Sequence, residues 1–357
     1  MNVRKINFGV VGCGNVANNY YLPYIAKNHR LVAVCDVNPE RAKRSAELWG
    51  ADKFYNSPDE LLSDKDVEAV IIVTSHDAHA PLALRAAEEG KHFIVQKPLA
   101  LSIEEAENIV RKARKAGVKA LAEPSEPLLS PMYREAKARL SDVGDVCFSI
   151  WHTGHAGPTW SEAFYDDSKG GGVIFDLAVY DVAGSLFLFG LPKTVRAVGS
   201  IKVKERLILT EEEATNAIRQ DTYGKGVYYF HDLRPSVPIK VTAYDNVIGI
   251  LEYNDGSLSS LHANYTTFIA LQMPKAQIYG VEGVLTMGPG LKIFSKRGME
   301  TITVKEVKPY YHYSIDHLAE CIENDEEPKP SLEWGLKVTR ILLALDKSAR
   351  TGRAVEI

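Results

Sequence analysis

A glycine-rich turn close to the N-terminus leaves few folds open to this chain. A short apolar run, Phe8 to Val11, ends in Gly12-Cys13-Gly14-Asn15-Val16-Ala17. The pattern is G-x-G-x-x-A, after a predicted strand and before a predicted helix. Gly12 permits the tight turn, Gly14 lets a pyrophosphate approach bare backbone, and the small Ala17 lets the helix pack close to the sheet. Asn15 and Val16 open the helix, whose unpaired N–H groups and positive dipole end suit phosphate. Taken alone, these residues describe any glycine-rich strand-to-helix turn. The context is more specific. A second apolar run, Leu31-Val32-Ala33-Val34-Cys35, ends in Asp36, about 20 residues further on, where a dinucleotide fold carries an acidic residue. A carboxylate there accepts hydrogen bonds from adenosine ribose hydroxyls and repels a 2′-phosphate. NAD is therefore the expected cofactor. NADP is the alternative, because Arg41 follows closely and would meet a 2′-phosphate if the turn folded that way.

At 357 residues the chain exceeds one ordinary core and fits two domains. A net charge of −4 gives no electrostatic case for nucleic acid or an anionic membrane. No run approaches the length of about 18 apolar residues that marks a membrane span. The N-terminus enters a strand with no cleavable apolar segment before it. Cys13, Cys35, Cys147 and Cys321 are widely spaced, two of them in or beside the nucleotide fold. A disulfide framework is not expected, and a reduced, cytoplasmic setting is.

Alternating strand and helix signals define a first domain over residues 1–123. Asn38-Pro39 is an N-cap followed by proline at the first helical position, and Gly50 closes that helix. Ser57-Pro58-Asp59-Glu60 and Ser102-Ile103-Glu104-Glu105 read as capping boxes. Val70-Ile71-Ile72-Val73 is a continuous apolar run, as in a strand buried on both faces. His92 to Val95 and Val118 to Ala122 follow as strands. The pattern predicts a parallel, doubly wound sheet with right-handed crossovers. Pro23 falls inside the first helix and should kink or shorten it.

Ligands of such sheets bind beyond the carboxyl ends of the strands. After the glycine turn, three strand ends matter: Asp36; Thr74-Ser75-His76-Asp77-Ala78-His79; and Gln96-Lys97-Pro98. Thr74, Ser75, His76, His79 and Gln96 are expected at the cofactor. His76 and His79 form an H-x-x-H pair, but no third ligand is evident and no metal is expected. Contact with ribose or solvent is the reading for these histidines. Lys97 is an ammonium between an apolar strand and a proline, at the cofactor end of the sheet. It is read as placed for chemistry, a simple loop lysine being the alternative.

Glu123-Pro124-Ser125-Glu126-Pro127 breaks the alternation and opens a second domain, residues 124–357. Val247 to Tyr253 and Ser257 to Tyr265 flank Asn254-Asp255-Gly256, a hairpin signal. The expectation is an α+β layer, a largely antiparallel, open-faced sheet with helices on one face. Its other face suits a second subunit, so a homo-oligomer is expected. Residues 204–235 are poorly patterned and read as a long surface excursion. Gly170-Gly171-Gly172 lets backbone pass close to something, and a helix follows to about Phe189. Asp176 and Tyr180, four apart, fall on one face of that helix, while Asp181 points elsewhere. A carboxylate and a phenol projecting together can orient a polyol and move its proton. The plainer alternative is two side chains hydrogen-bonded at a domain interface. Upstream, the stretch from Trp151 to Trp160 collects aromatic and imidazole groups among glycines and a proline. Trp151, His155 and Trp160 are expected at the substrate, since aromatic faces suit the C–H faces of a sugar ring. Packing anchors are the alternative for the tryptophans.

In this order and spacing, the G-x-G-x-x-A turn, the Thr74 to His79 segment, Gln96-Lys97-Pro98, the glycine triplet and Asp176-x-x-x-Tyr180 resemble one family. It is the glucose-fructose oxidoreductase / inositol dehydrogenase / rhizopine catabolism (Gfo/Idh/MocA) oxidoreductase family, and the resemblance covers essentially the whole chain. It implies an N-terminal Rossmann domain, a C-terminal open-faced sheet domain, and homodimers or homotetramers. It also implies NAD(P)-dependent oxidation or reduction of a hydroxyl or ketone on a sugar, cyclitol or related ring. Three positions depart from the family pattern. Gln96 stands where the family usually has glutamate, keeping hydrogen bonding and losing charge. His76 stands where asparagine is common. Tyr180 stands where histidine is often the acid/base. Tyrosine there resembles glucose-fructose oxidoreductase and relatives acting on anhydro sugars or dihydrodiols, which weakens an inositol dehydrogenase assignment.

The expected mechanism places the substrate ring between the nicotinamide and the second-domain sheet. Tyr180 takes the hydroxyl proton, Lys97 supports the phenolate and the reacting oxygen, and Asp176 grips a neighbouring hydroxyl. In the alternative, Lys97 exchanges the proton and Tyr180 orients. Two other functions fit the same sequence. One is a glycosidase or lyase that oxidises a sugar transiently and regenerates its cofactor. The other is a non-catalytic sugar or nucleotide sensor, against which the intact Lys97, Asp176 and Tyr180 argue.

Overall fold

The computed structural model describes residues 4–218, 234–267, 274–288, 290–305 and 309–357. Its first six strands are β1 (Asn7–Val11), β2 (Arg30–Cys35), β3 (Lys53–Tyr55), β4 (Ala69–Ile72), β5 (His92–Val95) and β6 (Ala120–Ala122). They pair in parallel in the order β3-β2-β1-β4-β5-β6. Winding runs outward both ways from β1 and β4, so a crevice opens at the carboxyl ends of those two strands. β4 is fully buried, as its unbroken apolar run requires.

Local chemistry sets the helix ends. The first helix begins as a π-turn, Ala17–Tyr21, and continues as α1 (Leu22–Asn28). Pro23 follows closely on this π-turn inside one continuous helical stretch, has no N–H to donate to the turn before it, and the expected disturbance takes this form. The Asn38 side chain accepts from the Glu40 and Arg41 N–H groups at the start of α2 (Pro39–Trp49), and Gly50 ends that helix in the left-handed conformation. Ser57 departs from the capping-box expectation. Its side chain caps nothing, and the short α3 (Pro58–Ser63) starts on the preset φ of Pro58 alone. α4 (His76–Glu88) starts at the histidine pair, and Ser102 caps α5 (Ile103–Ala116) through the Glu105 N–H.

Past Glu123 the chain forms α6 (Glu126–Leu129) and α7 (Pro131–Ala138). It then enters a second sheet through β7 (Val146–Gly154), α8 (Val179–Phe189) and β8 (Thr194–Ser200). The excursion at 204–235 contains β9 (Glu205–Ile208) and α9 (Glu211–Asn216); residues 219–233 of it lie outside the described residues. β9 pairs with β10 (Val237–Lys240) in a small separate sheet. Then come β11 (Asn246–Glu252), β12 (Leu258–Asn264), β13 (Ala276–Gly280), β14 (Gly283–Met287), β15 (Leu291–Ser295) and β16 (Gly298–Ile302). The chain ends with α10 (Tyr310–Asn324), α11 (Leu332–Thr351) and β17 (Val355–Glu356). The large sheet runs β16-β15-β14-β13-β7-β12-β11-β8-β17, antiparallel except where β7 meets β12. β11 and β12 form the hairpin expected at Asn254-Asp255-Gly256.

Helices α8 and α11 cover one face of that sheet. The other face exposes Phe148, Val198, Ile248, Leu258 and Phe294. The stretch Asp167–Phe189 is long and apolar enough to cross a membrane by length and composition, unlike the sequence reading. It is mostly buried against the second sheet and is a core element. The two layers are tied together by the last helices. Ile315, Leu318 and Ala319 of α10 join Ile6, Phe8 and Leu22 in one apolar core. Leu332 of α11 packs in the first layer, and Val338, Ile341, Leu342 and Leu345 pack in the second. All four cysteines are free thiols.

Candidate active site

A cleft of about 1780 Å³ runs along the carboxyl ends of β1, β2, β4 and β5 and is roofed by the second layer. Its outer end is the glycine turn. Gly12 has φ +99, and a Cβ there would lie 2.4 Å from the Val73 carbonyl oxygen. Gly14 is the opposite case, with nothing within 4 Å of a built Cβ. The Cys13 and Asn38 N–H groups donate to the two oxygens of Asp36 at 2.8 and 2.9 Å, fixing the carboxylate against the turn. Asn19 lines the cleft with its buried Oδ1 unpaired. Bare backbone, an anchored carboxylate and an unmet acceptor fit an adenine dinucleotide along this wall. The two glycines therefore separate fold from function. Gly14→Val is expected to weaken NADH binding by at least about tenfold with an unchanged melting temperature. Gly12→Ala is expected to destabilise the fold by about 2 kcal/mol or more, through strain and a backbone clash. Fluorescence titration and thermal melting check both.

At the inner end, β5 delivers Gln96 and Lys97. Gln96 donates through Nε2 to the Tyr21 hydroxyl at 2.6 Å, so its amide serves as a neutral anchor. The Lys97 ammonium crosses to the second layer. It donates to the Asp176 carboxylate, and to the Asp176 carbonyl at 3.1 Å. It also lies 5.4 Å from the centre of the Tyr180 ring. Asp176 stands in a π-turn, Ile174–Ala178, that runs into α8. The segment is therefore not the uniform α-helix that the four-residue spacing predicts, yet both side chains reach Lys97. The second Asp176 oxygen accepts from the Tyr265 hydroxyl at 2.6 Å. Burial pushes the Asp176 carboxyl up, but Lys97, with His76 and His155, outweighs it and brings it down to about 2.

The histidine pair is engaged by backbone. His76 donates from Nδ1 to the Gly170 carbonyl at 2.7 Å, joining the two layers. The His79 ring lies between the Pro98 and Thr74 carbonyls, at 2.8 and 3.2 Å, and its single N–H in the neutral form donates to one of them. Burial pushes His76 down to about 4 and His79 to about 3, so both stay neutral near pH 7. Among the described residues, no three His, Cys, Asp or Glu side chains converge as metal ligands. Thr74, Ser75, His76 and His79 all line the cleft.

The aromatic stretch divides. β7 runs on to Gly154, and its alternation turns Trp151 inward. Trp151 is fully buried, with Nε1 donating to Ser149 Oγ at 2.9 Å and its ring packed on Gly184. It is a core residue, not a substrate contact. His155 and Trp160 line the cleft. Gly157 N–H donates to His155 Nδ1, which leaves the proton on Nε2 of that ring. Burial pushes His155 down to about 4. The glycine triplet serves the chain itself: a Cβ on Gly171 would meet the Ala163 and Asp166 carbonyls at 2.6 and 2.7 Å.

Three residues escaped the sequence reading. Tyr265, at the end of β12, completes the shell of Asp176. Lys275 and Glu126 line the substrate end as an ion pair at 2.6 Å. Asp181 does point elsewhere. It is buried and accepts from Thr153 Oγ1 at 2.6 Å, and burial pushes its carboxyl up to about 7.

Two family models match this arrangement. The one described as oxidoreductase family, NAD-binding Rossmann fold, covers residues 6–123, and the GFO/IDH/MocA C-terminal domain covers residues 133–286. The chain belongs to the GFO/IDH/MocA oxidoreductase family. Within it, the chain is 25% identical to scyllo-inositol 2-dehydrogenase (NAD(+)) of Bacillus subtilis, over 91% of this chain and 88% of that protein. It is 24% identical to 1,5-anhydro-D-fructose reductase of Ensifer adhaerens, over 98% of each. The structure of levoglucosan dehydrogenase in complex with NADH and levoglucosan superposes with a TM-score of 0.81 at 20% identity, covering 99% of this chain and all of that one. The fold is thus that of the family, and the wall of the cleft is its NAD-binding Rossmann domain.

Proposed function

We propose that this GFO/IDH/MocA protein is an NAD-dependent dehydrogenase or reductase for one hydroxyl or ketone of a sugar, cyclitol or related ring. The observation that carries the reading is the meeting of Lys97, Asp176 and Tyr180 where the Rossmann wall ends and the second sheet begins. Bound NAD supplies the hydride acceptor, or donor in reverse. Lys97 donates a hydrogen bond to the reacting oxygen and stabilises the negative charge that develops there. Tyr180 exchanges the hydroxyl proton. Asp176 has both oxygens occupied, by Lys97 and Tyr265, so its task is to aim the ammonium rather than to grip a substrate hydroxyl. Trp160 and His155 supply an aromatic and a polar wall for the ring. Relatives named for scyllo-inositol, an anhydro sugar and levoglucosan support a neutral polyhydroxy ring as substrate.

The test is purified protein with NAD and NADP against a panel of sugars, cyclitols and glycosides, followed by reduced-cofactor absorbance. One reduced cofactor formed per substrate consumed supports the reading. Turnover with the cofactor unchanged would transfer the site to lyase or glycosidase chemistry. No turnover with any polyhydroxy ring would overturn it. The same reading includes a reduced cytoplasmic setting and a second copy of the chain on the open sheet face. There Val198 pairs with Ile248, and Leu258 with Phe148, in adjacent register. Sedimentation is expected to give a dimer or larger, and a monomer at micromolar concentration counts against it.

A further inference from the structure

We propose that cofactor choice is set in part from the second layer. Glu211 on α9 holds the Arg41 guanidinium away from the adenosine ribose, so the cleft takes NAD and rejects a 2′-phosphate. The inference rests on the NAD-dependent reading above and adds the residue that tunes it.

α9 and the residues after it lie over the outer end of the cleft. Ala214, Ala217 and Ile218 line it together with Asp36, Val37 and Arg41. Arg41 donates from Nη2 to Glu211 Oε2 at 2.9 Å and from Nε to Thr215 Oγ1 at 3.2 Å. The other Glu211 oxygen accepts from Asn38 Nδ2 at 2.6 Å. The Asn38 backbone N–H in turn holds Asp36. The two carboxylates are therefore linked through one asparagine. Arg44 extends the seam, donating to the Ile218 carbonyl at 2.9 Å and to Asn216 Oδ1 at 3.2 Å.

An arginine next to the adenosine ribose is a natural partner for a 2′-phosphate, because its planar fork matches phosphate oxygens. Here the Nε–Nη2 edge of that fork is already committed and its charge is offset by Glu211. The Arg41 side chain is only 18% exposed. A 2′-phosphate would have to displace Glu211, or else lie against two carboxylates beside an arginine already paired with one of them. Like charges at close quarters are strongly unfavourable. NAD carries a neutral hydroxyl at that point and meets neither obstacle. The Glu211 side chain is 65% exposed, so removing it leaves no cavity.

The experiment is direct binding of NADH and NADPH, read by nicotinamide fluorescence without any sugar. Wild type is expected to bind NADH more tightly by at least about tenfold. In Glu211→Ala, NADPH affinity is expected to rise about tenfold, with NADH changed less than about threefold. Glu211→Gln, which keeps the shape and loses the charge, is expected to shift the ratio in the same direction. In Glu211→Ala with Arg41→Ala the gain disappears. A wild type that prefers NADPH overturns the proposal. So does a Glu211→Ala variant that shifts both cofactors alike, or a gain that survives loss of Arg41. If neither cofactor binds wild type, the NAD reading fails and the proposal falls with it. Failure of the sugar screen alone leaves these binding ratios to decide.

Discussion

Lys97→Met is expected to lower kcat/KM by about a thousandfold to ten-thousandfold while NADH affinity stays within about tenfold. Methionine keeps the length and apolar stem of lysine and removes the ammonium. Two roles vanish together: the hydrogen bond that stabilises charge on the reacting oxygen, and the positive neighbour of the Tyr180 ring. The variant also leaves the Asp176 carboxylate buried, with Tyr265 alone to receive it. A stranded buried charge costs about 3–5 kcal/mol, so part of the loss would be structural. Thermal melting separates the effects. Lys97→Met with Asp176→Asn removes the stranded charge and is expected to melt closer to wild type, with turnover still lost. Turnover within tenfold of wild type in either variant would sink the assignment of Lys97.

Much of this architecture is written in local signals. Apolar runs with no polar face become the buried parallel strands, and glycines at Gly12 and Gly50 take positive φ where the chain must turn. The spacing of Asp36 from the glycine turn works because β2 runs beside β1, which returns the carboxylate to the Cys13 N–H. Asp176 and Tyr180 were legible as a pair even though a π-turn replaces the regular helix between them. The illegible parts are long-range. Tyr265 reaches Asp176 from a strand 89 positions away, and Glu211 reaches Arg41 across 170. Neither carries a local pattern that names its partner. Trp151 failed for a different reason. Its sequence context groups it with the aromatic residues of the Gly/Pro-rich stretch, but it lies within β7, where alternation sets it beside Ser149 on the buried face.

Tyr180→Phe decides which group exchanges the proton, and it is expected to lose about a hundredfold to ten-thousandfold in kcat with little change in KM. The phenyl ring keeps the packing of the half-buried side chain and deletes only the oxygen. Competing proton carriers in the cleft are limited. His76 and His155 are pushed down to about 4, chiefly by burial, so both are already neutral at and above about pH 6. Asp176 is down to about 2 and paired, so it is ionised throughout the working range. None of these three changes protonation between about pH 6 and 9. A rise in the oxidative kcat with pH in wild type therefore belongs to none of these three; Asp181, pushed up to about 7 and bonded to Thr153 of the cleft wall, is tested separately by Asp181→Asn, and His152, which lines the cleft, by His152→Gln. If Tyr180 is the carrier, the phenylalanine variant is slow and that rise flattens. If the variant keeps near-normal turnover and the same rise, the phenol only orients the ring, and Lys97 is the carrier provided the rise also survives Asp181→Asn and His152→Gln.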